Sequence, residues 1–195
     1  DHAETRFLLT DAAFSAQMSQ ALQKADNKQI TIIDIIDRHD AESASAPPLG
    51  EMDYEAFIAT GSPDYAWEMP QDEWDAMALN YTSGTSGKPK GVVYHHRGAY
   101  LMAMGTIPVW SLPAHPRYLY TVPLFHCNGW GHAWMMAIVA GTIICCRKVA
   151  ADAIFSLIRE HKVTHFGGAP IVLSMLVNAE DDIKFSPDWN VQVMT

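Results

Sequence analysis

The run Ile30-Thr31-Ile32-Ile33-Asp34-Ile35-Ile36 constrains the fold most. β-Branched side chains lose χ1 freedom in a helix and pack well on a pleated surface. A nearly continuous run of them suits a strand covered on both faces, and therefore a parallel sheet flanked by helices. Upstream, residues 7–10 read as a short apolar strand. Asp11 can cap a helix running to about Lys24, with Ala12, Ala13, Met18 and Leu22 available for packing. Strand, helix and strand at this spacing call for parallel pairing and a right-handed crossover. The expectation is an α/β fold, a layered sheet built from parallel β-α-β units.

The rest of the chain continues in that manner. Residues 37–51 read as a polar loop containing Pro47-Pro48, followed by a short helix at 54–59 and an acidic loop at 61–75. Trp67 and Trp74 in that loop are expected to pack down onto the domain. Strands are expected at 76–81, 92–94, 117–122, 142–146, 164–166 and 191–194. Helices are expected from His95 or His96 to Gly105, over 130–139, over 150–161 with Ile154, Leu157 and Ile158 inward, and from Pro170 to about Asn178. The strand at 142–146 is expected to be buried. The chain begins at Asp1 without a methionine and stops at Thr195 inside an apolar strand start, as expected of a fragment.

Charge is distributed unevenly. No Asp or Glu occurs between Ala76 and Ala151, while Lys88, Lys90, Arg97, Arg117, Arg147 and Lys148 all fall there. A buried, strand-rich middle would lack acids, but it would not keep six cations. An anion site from which repelling carboxylates are excluded fits better. Any carboxylate that holds a metal ion must then come from outside this middle. The net charge of −9 argues against nucleic acid as the main partner. No apolar run reaches the ~18 residues of a membrane span. Three cysteines, with Cys145 and Cys146 adjacent, do not make a disulfide framework, so a reducing, cytoplasmic compartment is expected.

Within the acid-free middle lies Tyr81-Thr82-Ser83-Gly84-Thr85-Ser86-Gly87-Lys88-Pro89-Lys90-Gly91. Hydroxyls, bare amides at glycines and lysine charges together can wrap an oligophosphate. A Walker A loop needs Gly-Lys followed at once by Ser or Thr, and here Pro89 follows Lys88. His126, Cys127 and His132 offer nitrogen and sulfur donors, but at no regular metal-ligand spacing, so no metal site is expected within this chain.

The segment from Tyr81 to Gly91 resembles the phosphate loop of the adenylate-forming superfamily, which includes acyl-CoA synthetases, peptide-synthetase adenylation domains and luciferases. The resemblance implies that Thr82, Ser83, Gly84, Thr85, Ser86, Gly87 and Lys90 bind the β- and γ-phosphates of ATP, with Lys90 catalytic. Lys88 stands where that family is variable and is expected to be a solvated lysine. His126, after Pro123-Leu124-Phe125, resembles a family position beside the reacting carboxylate, and it is assigned a catalytic and acyl-pocket role on that basis. Trp130 resembles an aromatic beside the acyl tunnel. Gly167-Gly168-Ala169-Pro170 resembles one wall of the acyl pocket and also reads as a tight strand-to-helix turn. His96 matches the family at the start of the following helix and His95 departs from it, so both are expected to serve local structure.

The stretch 64–103, with Trp67, Asp72-Glu73-Trp74 and His95-His96-Arg97, resembles medium-chain-type acyl-CoA synthetases, among them methylmercaptopropionate–CoA ligases. The resemblance implies the central fragment of a large N-terminal domain. Residues 1–75 would hold its first β-α-β part and acidic loops, and residues 76–195 its phosphate loop and acyl pocket. The C-terminal lid and the acid that holds Mg²⁺ would lie outside the chain. The implied reaction uses ATP, Mg²⁺ and CoA to convert a fatty or other small carboxylic acid to its thioester, and the fragment alone is expected to be inactive. An adenylation domain that does not use CoA, or a non-catalytic module with a vestigial loop, are the alternatives. Oligomeric state stays open, a homodimer being one option.

Overall fold

The computed structural model describes residues 2–26, 29–84, 87–184 and 186–195, and only the backbone of Asn128. The chain divides into two compact units, Asp1–Met69 and Pro70–Thr195.

In the first unit, β1 (Phe7–Asp11) and β2 (Thr31–Ile35) pair in parallel, and β3 (Met52–Asp53) joins the other side of β2. Asp11 caps a single 3-10 turn at Ala12–Phe14 before α1 (Ser15–Lys24) makes the crossover. The β-α-β unit expected from the isoleucine run is therefore present. The run itself is only partly covered: Ile33 is fully buried, whereas Ile35 and Ile36 are 37% and 40% exposed. The reason is pairing. β3 reaches only Ile33 and Asp34, so the end of β2 has no neighbour on that side.

Asp34 is a carboxylate inside this core. It accepts from the amide of Leu49 at 3.1 and 3.2 Å and from that of Gly50 at 2.8 Å, which draws the returning loop against β2. The polar stretch before it is not all loop. It holds α2 (Ala41–Ser45), started by Asp40, whose side chain accepts from the Ser43 amide at 2.8 Å. α3 (Tyr54–Ala59) follows, with Asp53 accepting from the Ala56 amide at 2.7 Å. Asp53→Ala is expected to remove about 1 kcal/mol from α3, roughly a fivefold loss of amide-exchange protection over Phe57–Ala59. Unchanged protection there would show that the strand before α3, and not the cap, starts the helix.

The second unit opens with an antiparallel hairpin, β4 (Ala76–Thr82) and β5 (Lys90–His95). α4 (His96–Val109) follows, capped by His95, whose Nδ1 accepts from the Gly98 amide at 3.0 Å. Trp67 is 90% exposed and Trp74 64% exposed, contrary to the packing expected of both. Trp74 lies on the His95 ring at 4.7 Å, with the Arg97 guanidinium 5.7 Å from its centre. A π face beside a cation needs no burial to be stabilised.

A four-stranded sheet in the order β7-β6-β8-β9 completes the unit: β6 (Arg117–Tyr120), β7 (Thr142–Cys145), β8 (His165–Gly167) and β9 (Gln192–Met194), all parallel. Alternate residues of β6 point to opposite faces. Tyr118 and Tyr120 enter one core with Met135 and Met136 of α5 (His132–Ile138). Leu119 enters the other with Ile154 and Ile158 of α6 (Ala151–His161) and Phe166. The aromatic segment expected as one helix over 130–139 is a 3-10 turn, Cys127–Gly131, followed by α5. β7 is an edge strand with only Ile144 buried, so the burial expected of it holds on one face alone. α7 (Pro170–Val177) follows β8, with Pro170 in its first turn.

Candidate active site

The described residues of the expected phosphate loop sit at the closed end of the β4–β5 hairpin. Thr82 and Lys90 are direct register partners, so the last residue of one strand faces the first of the other. Directly opposed side chains leave an antiparallel pair on the same face. The hydroxyl and the ammonium therefore flank one mouth. Thr82, Ser83, Gly87 and Lys90 are exposed, as a ligand would require. Gly84 and Gly87 have φ of +65° and +80°. A Cβ on Gly84 would collide with the Lys88 carbonyl, while one on Gly87 would meet open space. The loop thus closes on itself at Gly84 and leaves a bare-backbone cradle open at Gly87, suited to close approach by an anion. Thr85 and Ser86 lie outside the described residues. Gly84→Ala is expected to destabilise the hairpin by about 1–2 kcal/mol, because an alanine at positive φ is strained and its Cβ would meet the Lys88 carbonyl; an unchanged melting temperature would show that the bend at Gly84 relaxes freely.

β5 connects this cradle to a cavity. Side chains two residues apart share a strand face, so Lys90, Val92 and Tyr94 project together. Tyr94 lines an apolar cavity of about 220 Å³ with Gly98, Ala99 and Met102 of α4, Cys127 and Trp130 of the 3-10 turn, and Trp134 of α5. Partial burial, then the neighbouring Cys127, hold the Tyr94 phenol above its usual range. Trp130 is therefore a cavity wall. Tyr94, Met102, Cys127 and Trp134 were not expected there. For Tyr94 the signal was present, since it shares the two-residue period of Lys90.

The other candidates sit at the ends of parallel strands. In the order β7-β6-β8-β9 the chain goes from β6 to one side and then to the other, so the switch point lies between β6 and β8. Crevices at the carboxyl ends of such strands are the usual ligand positions in open α/β sheets. The segment bearing His126 leaves the end of β6, and the 167–170 turn leaves the end of β8. Thr121 Oγ1 donates to the Gly167 carbonyl and ties the two together. His126 is exposed, between Phe125 at 81% exposure and Cys127. Gly167 is close-packed: a Cβ there would stand 2.7 Å from Tyr118 Oη and 2.8 Å from His132 Cε1. Gly167, Gly168, Ala169 and Pro170 do not themselves line the 220 Å³ cavity.

His132 is fully buried in this region. It had been considered only as a metal donor, and among the described residues no three His, Cys, Asp or Glu side chains converge on one point. Its Nδ1 is hydrogen-bonded to Tyr118 Oη. Burial pushes its pKa down to about 4, so it is a neutral imidazole.

The chain matches the AMP-binding enzyme family over residues 1–191. It belongs to that family. It is 42% identical over 204 aligned positions to the acetate/butyrate–CoA ligase AAE7, peroxisomal, of Arabidopsis thaliana, covering all of this chain and 36% of that protein. It is 47% identical over 147 positions to the acetate–CoA ligase CCL3 of Humulus lupulus, covering 75% of this chain and 26% of that one. It therefore spans about a third or less of the length of these relatives. Among solved structures, the N-terminal domain of FACL13 from Mycobacterium tuberculosis superposes with a TM-score of 0.64 at 23% identity, covering 88% of this chain and 45% of that one. That likeness shows the fold, the mixed α/β N-terminal domain of adenylate-forming enzymes.

Proposed function

We propose that this chain is the phosphate- and acyl-binding part of an ATP-dependent, AMP-forming acid–thiol ligase, an acyl-CoA synthetase. The observation that carries the reading is one strand, β5, with the phosphate cradle at its first residue and an apolar cavity at Tyr94 on the same face. A carboxylate oxygen attacks the α-phosphorus of ATP, the bond to the β-phosphate bridge breaks, and pyrophosphate leaves. Donors prearranged at Thr82, Ser83, the loop amides and Lys90 stabilise the charge that grows on it. The CoA thiol then attacks the acyl carbon of the mixed anhydride and AMP departs. His126, at the carboxyl end of β6, orients the carboxylate. Mg²⁺ neutralises phosphate charge when bound, and its ligand acid is assigned outside residues 76–151, which hold no Asp or Glu.

The acid is short. The cavity of about 220 Å³ is smaller than the ~300–1,000 Å³ of pockets for drug-sized ligands, and the relatives are named for acetate, butyrate and 2-methylpropanoate. We further assign residues 1–75 to the first β-α-β part and 76–195 to the phosphate and acyl part, with the lid elsewhere in the whole protein. The three free thiols support a reducing compartment, the cytoplasm. No helix among the described residues is long and apolar enough to cross a membrane.

The test is carboxylate-dependent ATP–pyrophosphate exchange by the whole enzyme, with acids from acetate to palmitate and methylmercaptopropionate. Exchange with short acids is the expected result. Folded protein that binds ATP but exchanges with no acid would overturn the reading in favour of a non-catalytic module.

A further inference from the structure

His132 stands between two segments that border the crevice at the switch point. On one side its ring meets Trp130, the cavity wall, edge to face with centroids 5.6 Å apart. On the other side it closes against Gly167, where even a methyl group would not fit beside His132 Cε1. The Tyr118 phenol joins the two. Its oxygen packs on Gly167, where a Cβ would stand 2.7 Å away, and is hydrogen-bonded to His132 Nδ1. Burial holds that phenol protonated, far above its usual range. His132 Nε2 is buried and has no hydrogen-bond partner among the described residues. Tyr120, on the same face of β6, fixes the other end of the 3-10 turn by donating to the Gly129 carbonyl at 2.9 Å. Trp110 packs edge to face on His132 at 5.0 Å and limits its tilt.

We propose that His132 is a positioning residue that couples the Trp130 wall of the cavity to the 167–170 turn through Tyr118, and so helps to set which carboxylate the enzyme accepts. The inference rests on the acyl-CoA synthetase reading above. His132 touches neither substrate nor the reacting atoms. Its effect is on where Trp130 stands relative to the turn. The imidazole is hydrogen-bonded to Tyr118 and supplies a flat edge to Trp130, and a phenylalanine supplies only the edge.

Two variants of the whole enzyme test it, His132→Phe and Tyr118→Phe, with the double variant. Both keep an aromatic ring and remove the link between them. The readout is the acid profile of pyrophosphate exchange, with KM for ATP measured alongside. For the preferred acid, kcat/KM is expected to fall about tenfold relative to acids one or two carbons longer, with KM for ATP unmoved, and the double variant should lose no more than either single change, since directly contacting residues couple. Lowered melting temperature with an unchanged acid profile would overturn the inference and leave a purely structural histidine. If His132→Phe does not fold, Tyr118→Phe decides alone, because it deletes one hydroxyl and keeps the ring. Absence of exchange by the wild type would instead overturn the underlying reading, and the inference with it.

Discussion

Lys90→Ala in the whole enzyme is expected to slow carboxylate-dependent pyrophosphate exchange by roughly 10²–10³-fold, the usual loss when one prearranged donor is removed from developing charge. The loss should fall on kcat more than on KM for the acid. Lys90 is exposed and opens β5 opposite Thr82, so it has no packing role whose removal would confuse the result. Lys88→Ala is the matched control, because Lys88 lies two residues earlier, is exposed, and is expected to be a solvated lysine whose loss leaves exchange nearly unchanged. Lys90→Arg should recover only part of the rate, since a planar fork does not replace a compact ammonium. Equal, small effects of both alanine changes would favour a module whose loop no longer works on ATP.

The second large effect concerns pH. The folded-state pKa of His132 is about 4, below the ~6.5 of an unfolded histidine. Between those values the unfolded chain binds a proton that the folded chain refuses. Stability therefore rises with pH across that window and is lost as pH falls from about 6.5 toward 4, by about 3 kcal/mol in all. Burial of His165 lowers its pKa too and adds an effect of the same sign. The groups around His132 are Tyr118, Tyr120, Trp110, Trp130 and Gly167, none of which carries charge at these pH values. Thermal unfolding of the 195-residue chain from pH 7 to 4.5 would measure the slope. His132→Phe should flatten it even though its baseline stability is lower. An unchanged slope in that variant would place the pH dependence in other groups.

Much of the fold was legible because local chemistry and tertiary structure agree. Asp53 before a mostly apolar run with Glu55 in its first turn suits α3, and the spacing of Ile154, Leu157 and Ile158 announces a helix with one buried face. Disagreement came where the decisive fact is long-range. The isoleucine run says strand, but whether Ile35 and Ile36 are covered depends on how far β3 extends. Trp74 looks like core by composition, and its partners His95 and Arg97 are more than 20 residues away in sequence. α2 was missed although Asp40 and Ser43 stand three apart, because the Ser- and Ala-rich segment offers no apolar period. In the candidate site, the residues expected to form a phosphate loop are continuous in sequence, so they can be named from it. The cavity is assembled from β5, α4, the 3-10 turn and α5, and His132 has meaning only once Gly167 is seen beside it.

The neck of the β4–β5 hairpin also limits how this protein can change. Side chains alternate across the ladder, so losing or gaining one residue between Lys90 and Tyr94 would put those two on opposite faces: either Lys90 turns away from Thr82 or Tyr94 leaves the cavity wall. A family built on this hairpin is therefore expected to change strand length only in steps of two.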